Sequence, residues 1–135
     1  MTKHVEIRTR LVSKTEGREE EVRSKCHGTW QQVSDRHLFR YAEPDNNGSA
    51  LLLIERDTVH LRRTGNTHAK MHFEVGRKAN AYYRTAVGPV HMSLRTHELR
   101  TDTATDSGYI EVRYDVLIGG QKAAENSLRI EWVEE

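Results

Sequence analysis

The chain has 135 residues, with 21 Lys plus Arg against 20 Asp plus Glu, 8 histidines and one cysteine. Its length fits one domain spanning residues 1–135, and a net charge of +1 gives no global attraction to nucleic acid or anionic lipid. The lone Cys26 excludes an intrachain disulfide, and neither a signal peptide nor a run of the ~20 apolar residues needed for a membrane helix is visible, so a soluble cytoplasmic protein is expected.

The first element is a long amphipathic strand, with Val5, Ile7, Thr9 and Leu11 on one face and mostly charged residues on the other. A charged turn around Gly17 leads to a second strand through Val22, Ser24 and Cys26, and Gly28 is expected to mark a bend or bulge. Trp30 to Val33 and Leu38 to Glu43 follow, and Pro44-Asp45-Asn46-Asn47-Gly48 is a turn signal. Ala50 to Glu55 and Thr58 to Arg63 read as a hairpin, followed by strands at Lys70 to Val75, Ala79 to Val87 and Val90 to Arg100. A polar loop over Asp102 to Gly108 precedes the cleanest alternation in the chain, Ile110, Val112, Tyr114, Val116 and Ile118. The last strand carries Leu128, Ile130 and Trp132.

No segment has a helical period. The count of about eight to ten short antiparallel strands, joined by near-sequential hairpins, favours an all-β up-and-down barrel over a sandwich, which needs longer crossovers.

From Arg63 to Thr96 the pattern becomes specific. Arg63, Gly65, Phe73, Gly76, Tyr83, Gly88 and Thr96 stand at spacings that resemble the bacterial YwiB-like family, a small family of domains of unknown function. Leu38, Tyr41 and Glu43 upstream, and Ile110, Val112, Tyr114 and Asp115 downstream, extend the likeness over most of the chain from Leu38 onward. The resemblance implies a lipocalin-like (calycin) β-barrel and carries no activity, cofactor or site residue with it.

The residues themselves name one polar spot inside the apolar pattern. Arg63 shares a face with Val59 and Leu61, Glu43 shares one with Phe39 and Tyr41, and Tyr83, Thr96 and Glu98 extend inward frames. A buried charge is costly unless paired, so Arg63 must meet Glu43, Glu98, a phenol or an anionic ligand. Two readings stay open. One is a structural ion pair at the barrel mouth; the other is a cavity where Tyr41, Glu43, Arg63, Tyr83, Thr96 and Glu98 hold a small apolar or amphipathic molecule.

Other chemistries find less support. His68 and His72 share a face but lie roughly 13 Å apart on a strand, and His60, His72 and His91 fall on outward positions, so no metal site is expected. Neither Cys26-His27 nor His91 with Ser93 has a catalytic motif around it, so the chain is read as a non-enzyme without cofactors. An isomerase or hydrolase using Glu43 or Glu98 is the enzymatic alternative. Arg77, Lys78, Tyr82 and Arg84, with Arg95, His97 and Arg100, suggest a single-strand nucleic-acid patch, but Glu6, Glu74, Glu111 and Glu131 on outward faces argue for a mixed-charge surface instead. A homodimer or protein-interaction module, using a strand edge or a sheet face, is the remaining alternative.

Overall fold

In the computed structural model, which describes residues 2–135, ten antiparallel strands follow one another around a closed barrel. They are β1 (Thr2–Thr15), β2 (Arg18–Val33), β3 (Arg36–Glu43), β4 (Gly48–Ile54), β5 (Thr58–Arg63), β6 (His68–Glu74), β7 (Lys78–Thr85), β8 (Gly88–Thr103), β9 (Ser107–Ile118) and β10 (Gln121–Glu134). A single 3-10 turn over Pro44–Asn46 joins β3 to β4. The sheet closes where β1 pairs with β10, from Val5 opposite Glu134 to Lys14 opposite Glu125. Closure satisfies the backbone donors and acceptors that an open sheet would expose. Each strand thereby has a neighbouring strand on both sides.

Alternation along each strand decides what enters the barrel. Val5, Ile7, Thr9 and Leu11 of β1 lie directly opposite Gly28, Cys26, Ser24 and Val22 of β2, so both inward rows are continuous. The register of β1 with β2 runs unbroken through Gly28, and no bulge forms there. The glycine is needed for a different reason: a Cβ at that position would stand 2.1 Å from the Arg40 carbonyl oxygen and 2.7 Å from Tyr41 Cβ. β2 therefore presses on β3 too closely for any side chain.

Two irregularities matter for the frames. In β8 the register with β9 shifts between Thr96 and Glu98, leaving His97 as the extra residue of a bulge. Here the hairpin between β6 and β7 reaches across, Gly76 donating its N–H to the Thr96 carbonyl at 3.1 Å. The β6–β7 ladder itself is short, pairing only His68–Lys70 with Tyr82–Arg84. A second shift lies between Lys122 and Ala124 in β10.

The interior is unevenly filled. Trp30, Phe39 and Trp132 pack ring on ring, with centroids 5.6 Å apart for Trp30–Phe39 and 4.3 Å for Phe39–Trp132. Around them Val5, Ile7, Ile54, Val59 and Ile110 are almost fully buried. This aromatic plug makes one end of the barrel solid, and truncating a ring in it costs ~3–5 kcal/mol. Toward the other end, where β3 runs out into Pro44, the inward side chains are smaller or polar: Thr9, Ser24, Cys26, Ala50 and Arg63. They do not meet across the barrel, and a cavity remains.

Candidate functional site

The cavity has a volume of about 370 Å³. Leu11, Leu61, Met71, Leu128 and Ile130 supply its apolar wall, while Thr9, Ser24, Cys26, Tyr41, Glu43, Arg63 and Tyr114 supply polar atoms. At its mouth stand Val22, Arg23, Lys25 and the turn Pro44–Asn46. A mostly apolar concavity with a few convergent polar groups, in the size range of a small-molecule site, is the form such sites usually take.

The polar centre is an ion pair. Arg63 Nε donates to both carboxylate oxygens of Glu43, at 3.0 and 3.2 Å, with the two side chains 28% and 16% exposed. β5 positions the arginine opposite Ala50 of β4 and Ala69 of β6, two small neighbours that leave room for the guanidinium. Glu43 is the last residue of β3, opposite Gly48. Burial works against the charged guanidinium, but the hydrogen bond and charge of Glu43 outweigh it, so the arginine pKa lies above its ordinary value. Arg63 therefore has Glu43 as its protein partner, and the pair lines the cavity.

The neighbouring protonatable groups are held neutral. Burial, reinforced by the negative charge of Glu43, pushes the Tyr41 phenol well above its ordinary range. Burial also raises the Cys26 thiol; the Ser24 hydroxyl partly offsets this, and Glu43 and Asp45 add to it. The Tyr114 phenol is raised chiefly by burial and accepts a hydrogen bond from Asn126 Nδ2 at 3.2 Å. Thr9 and Ser24 share a hydroxyl–hydroxyl hydrogen bond across the β1–β2 ladder. At ordinary pH the pocket thus offers neutral hydroxyls and a thiol around one compensated ion pair.

Of the six residues singled out from the sequence, three line this cavity: Tyr41, Glu43 and Arg63. Tyr83 is half-buried on the same inward frame, opposite Ala69, but is not among the lining residues. Thr96 is 2% exposed, opposite Tyr114, and its hydroxyl has no hydrogen-bond partner among the described residues. Glu98 is a correction. The His97 bulge turns the frame by one residue, so Glu98 points outward to Arg100 at 2.5 Å and Arg113 at 3.4 Å.

Sequence reasoning missed Asn46, an 8% exposed residue in the turn at the cavity mouth. Its amide donates to the carbonyls of Thr64 and Thr67 at 3.1 and 3.0 Å and accepts from the Thr67 N–H at 2.8 Å. These bonds tie the β3–β4 turn to the β5–β6 loop. Gly65 packs under it at φ +127°, where an added Cβ would meet the Asn46 carbonyl oxygen at 2.2 Å. The signal was present only as turn composition.

The histidines also differ from expectation in one place. His60 and His72 are direct cross-strand partners with their Nδ1 atoms 3.2 Å apart. Spacing along one strand could not reveal this pair. Among the described residues no group of three or more His, Cys, Asp or Glu side chains is arranged to hold a metal ion.

Comparison with known proteins agrees with this architecture. The family model described as Domain of unknown function (DUF1934) matches residues 5–130. No curated protein matches. Among solved structures, the crystal structure of the ywiB protein from Bacillus subtilis superposes with a TM-score of 0.86. It is 17% identical and the alignment covers 99% of this chain and 93% of that one. At that identity the likeness shows the fold.

Proposed function

Because the chain belongs to the DUF1934 family and shares its barrel along nearly the whole length, we propose that the hollow half of the barrel binds a small amphipathic molecule. The carrying observation is the coexistence of an aromatic plug at one end with a cavity of about 370 Å³ at the other. A barrel that needed only stability would fill both halves, since a void of this size forfeits packing contacts. The apolar tail of the ligand lies against Leu61, Met71, Leu128 and Ile130, and its polar end meets Arg63, Thr9 and Ser24 near the mouth.

Binding rather than catalysis is the reading the chemistry favours. Burial keeps the Cys26 thiol protonated, and His27, next in the chain, points to the opposite side, toward Glu135. The outer face carries ion pairs such as Lys25–Glu6 at 2.8 Å rather than the apolar band of a membrane barrel. No helix among the described residues is long and apolar enough to cross a membrane. The charged outer face supports a soluble ligand-binding protein.

Native mass spectrometry of protein purified without denaturation tests the proposal. A co-purifying small molecule, lost from an Arg63→Met variant that remains folded, is the expected result. Protein of sequence mass alone, combined with no binding of cis-parinaric acid at micromolar concentration, overturns it.

A further inference from the structure

The barrel separates its charges. Arg62, Lys70, Tyr82 and His91 are successive cross-strand partners on the outward faces of β5, β6, β7 and β8. At 4.7–4.9 Å per strand the row is roughly 14 Å wide. It is flanked on one side by the pair His68 and Arg84, while on the other Lys78 and Arg95 lie beyond the uncharged pair Asn80 and Ser93. Among the described residues none of Arg62, Lys70, Lys78, Arg84 or Arg95 lies within ion-pair distance of an acid, whereas Arg77, at the end of this face, is paired with Glu74. Glu74 is the one acidic residue at the outward positions of β5, β6, β7 and β8 up to the His97 bulge, and it is shared between Arg77 at 2.6 Å and His72 at 3.7 Å.

The acids that would make this surface mixed lie on other strands, and Asp115 on β9, opposite Arg95, is engaged by His97 at 2.8 Å and Lys122 at 3.9 Å. Glu6 on β1 is bound to Lys25 and Arg8. Glu111 on β9 and Glu131 on β10 both engage Arg129. A chain of net charge +1 therefore presents one face of uncompensated cations and another of closed ion-pair networks.

We propose that the outward face of β5 to β8 binds single-stranded nucleic acid, with phosphates on Arg62, Lys70, Arg84 and Arg95 and a base stacked on Tyr82. Tyr82 is the reason for choosing this polyanion. It is 38% exposed, with Lys70 beside it across the ladder and Arg84 two residues along its own strand. The edge of its ring rests against His91, with centroids 6.4 Å apart and an interplanar angle of 66°. A solvent-exposed ring braced by a neighbour and surrounded by cations is the arrangement on which unpaired bases stack while their phosphates are neutralised. A duplex offers no free base face to it. An anionic membrane would want apolar side chains beside the cations, but Val75 and Val87 sit in hairpins at opposite ends of the face.

Fluorescence anisotropy of a labelled 20-nucleotide oligouridylate with the full chain tests the proposal. Binding should weaken with salt, log K falling against log salt with a slope of about −2 to −3 for three to four phosphate contacts. Tyr82→Ala should weaken it about tenfold, Lys70→Glu with Arg84→Glu should abolish it, and Lys122→Glu on another face should leave it within twofold. These positions are exposed, and circular dichroism checks that each variant folds. No binding at 50 mM salt overturns the proposal. So does binding that Tyr82→Ala leaves unchanged and that heparin or vesicles of 30% phosphatidylserine match, since the face would then be a general anion or membrane surface. None of these residues lines the barrel cavity, so this result and the small-molecule result are independent.

Discussion

Replacing Arg63 and Glu43 singly and together measures what the interior ion pair contributes. At 3.0 Å their attraction is about 5–6 kcal/mol at an effective dielectric of 20. Desolvation of two side chains that are 28% and 16% exposed cancels much of this. Arg63→Met leaves the Glu43 carboxylate half-buried beside the Tyr41 phenol and the Cys26 thiol, with its guanidinium donor gone. That should cost about 2–3 kcal/mol, below the range for a fully buried pair. Glu43→Gln should cost a similar amount, because it strands the guanidinium. The double variant should lose no more than about 1–2 kcal/mol, since neither charge then remains to be compensated. Urea unfolding followed by Trp30 and Trp132 fluorescence, both rings lying in the aromatic plug, gives the four free energies of the cycle. A coupling of about 3–4 kcal/mol is expected. Single-variant losses that add to within about 0.5 kcal/mol would refute the claim that the two charges depend on each other.

Asn46→Ala removes three hydrogen bonds that join two loops at the cavity mouth, for a loss of about 2–3 kcal/mol. At roughly 2.1 cal/mol/K per residue of unfolding entropy this lowers the melting temperature by about 7–11 °C; a shift under 2 °C would show that the loops hold without it. Stability should fall with acid before any carboxylate titrates. Desolvation lowers the pKa of His37, whose Nδ1 accepts from Trp30 Nε1 at 3.0 Å, and also that of His60, where the neighbouring His72 adds to the effect. A depressed pKa in the folded state means that the unfolded chain binds protons first. Stability is therefore full above the unfolded histidine value of ~6.5 and declines as pH drops below it. Denaturation midpoints at pH 7.5 and 5.2 should differ in the wild type and differ less in His37→Gln; equal differences in both proteins would contradict this assignment.

Much of the fold was legible because strand alternation is a local signal and hairpin order follows the chain. The row Val5, Ile7, Thr9, Leu11 and the later row Ile110, Val112, Tyr114 are inward in the structure as the period required, but the later row does not hold to Ile118, which is exposed while Leu117 is buried. Glu98 shows where the argument breaks. A period-2 frame carried past Thr96 points it inward, but one extra residue at His97, placed where the β6–β7 hairpin docks, reverses every later position. Gly28 was readable as special, yet its cause is the approach of β3, which no local pattern contains. In the candidate site, Arg63 and Glu43 were found as misfits within apolar frames. Asn46 was not, because a turn asparagine looks the same whether it faces water or holds a second loop 18 to 21 residues away. The cationic face was legible in part: Lys78, Tyr82, Arg84 and Arg95 stood out as a basic, aromatic patch, but Arg62, Lys70 and His91 join them only through strand pairing. Each strand alone mixes or dilutes its charges, and only the order β5-β6-β7-β8 stacks Arg62, Lys70, Tyr82 and His91 side by side.

Whether the hollow half of the barrel is a binding site is decided by titrating cis-parinaric acid into the wild type and two variants. Ser24→Trp places an indole in the cavity from the β2 wall, and Arg63→Met removes the charge at its polar centre. The wild type should bind saturably at one to one, Arg63→Met about tenfold more weakly, and folded Ser24→Trp not at all. Equal binding by wild type and Ser24→Trp would place the probe outside the barrel and contradict the claim.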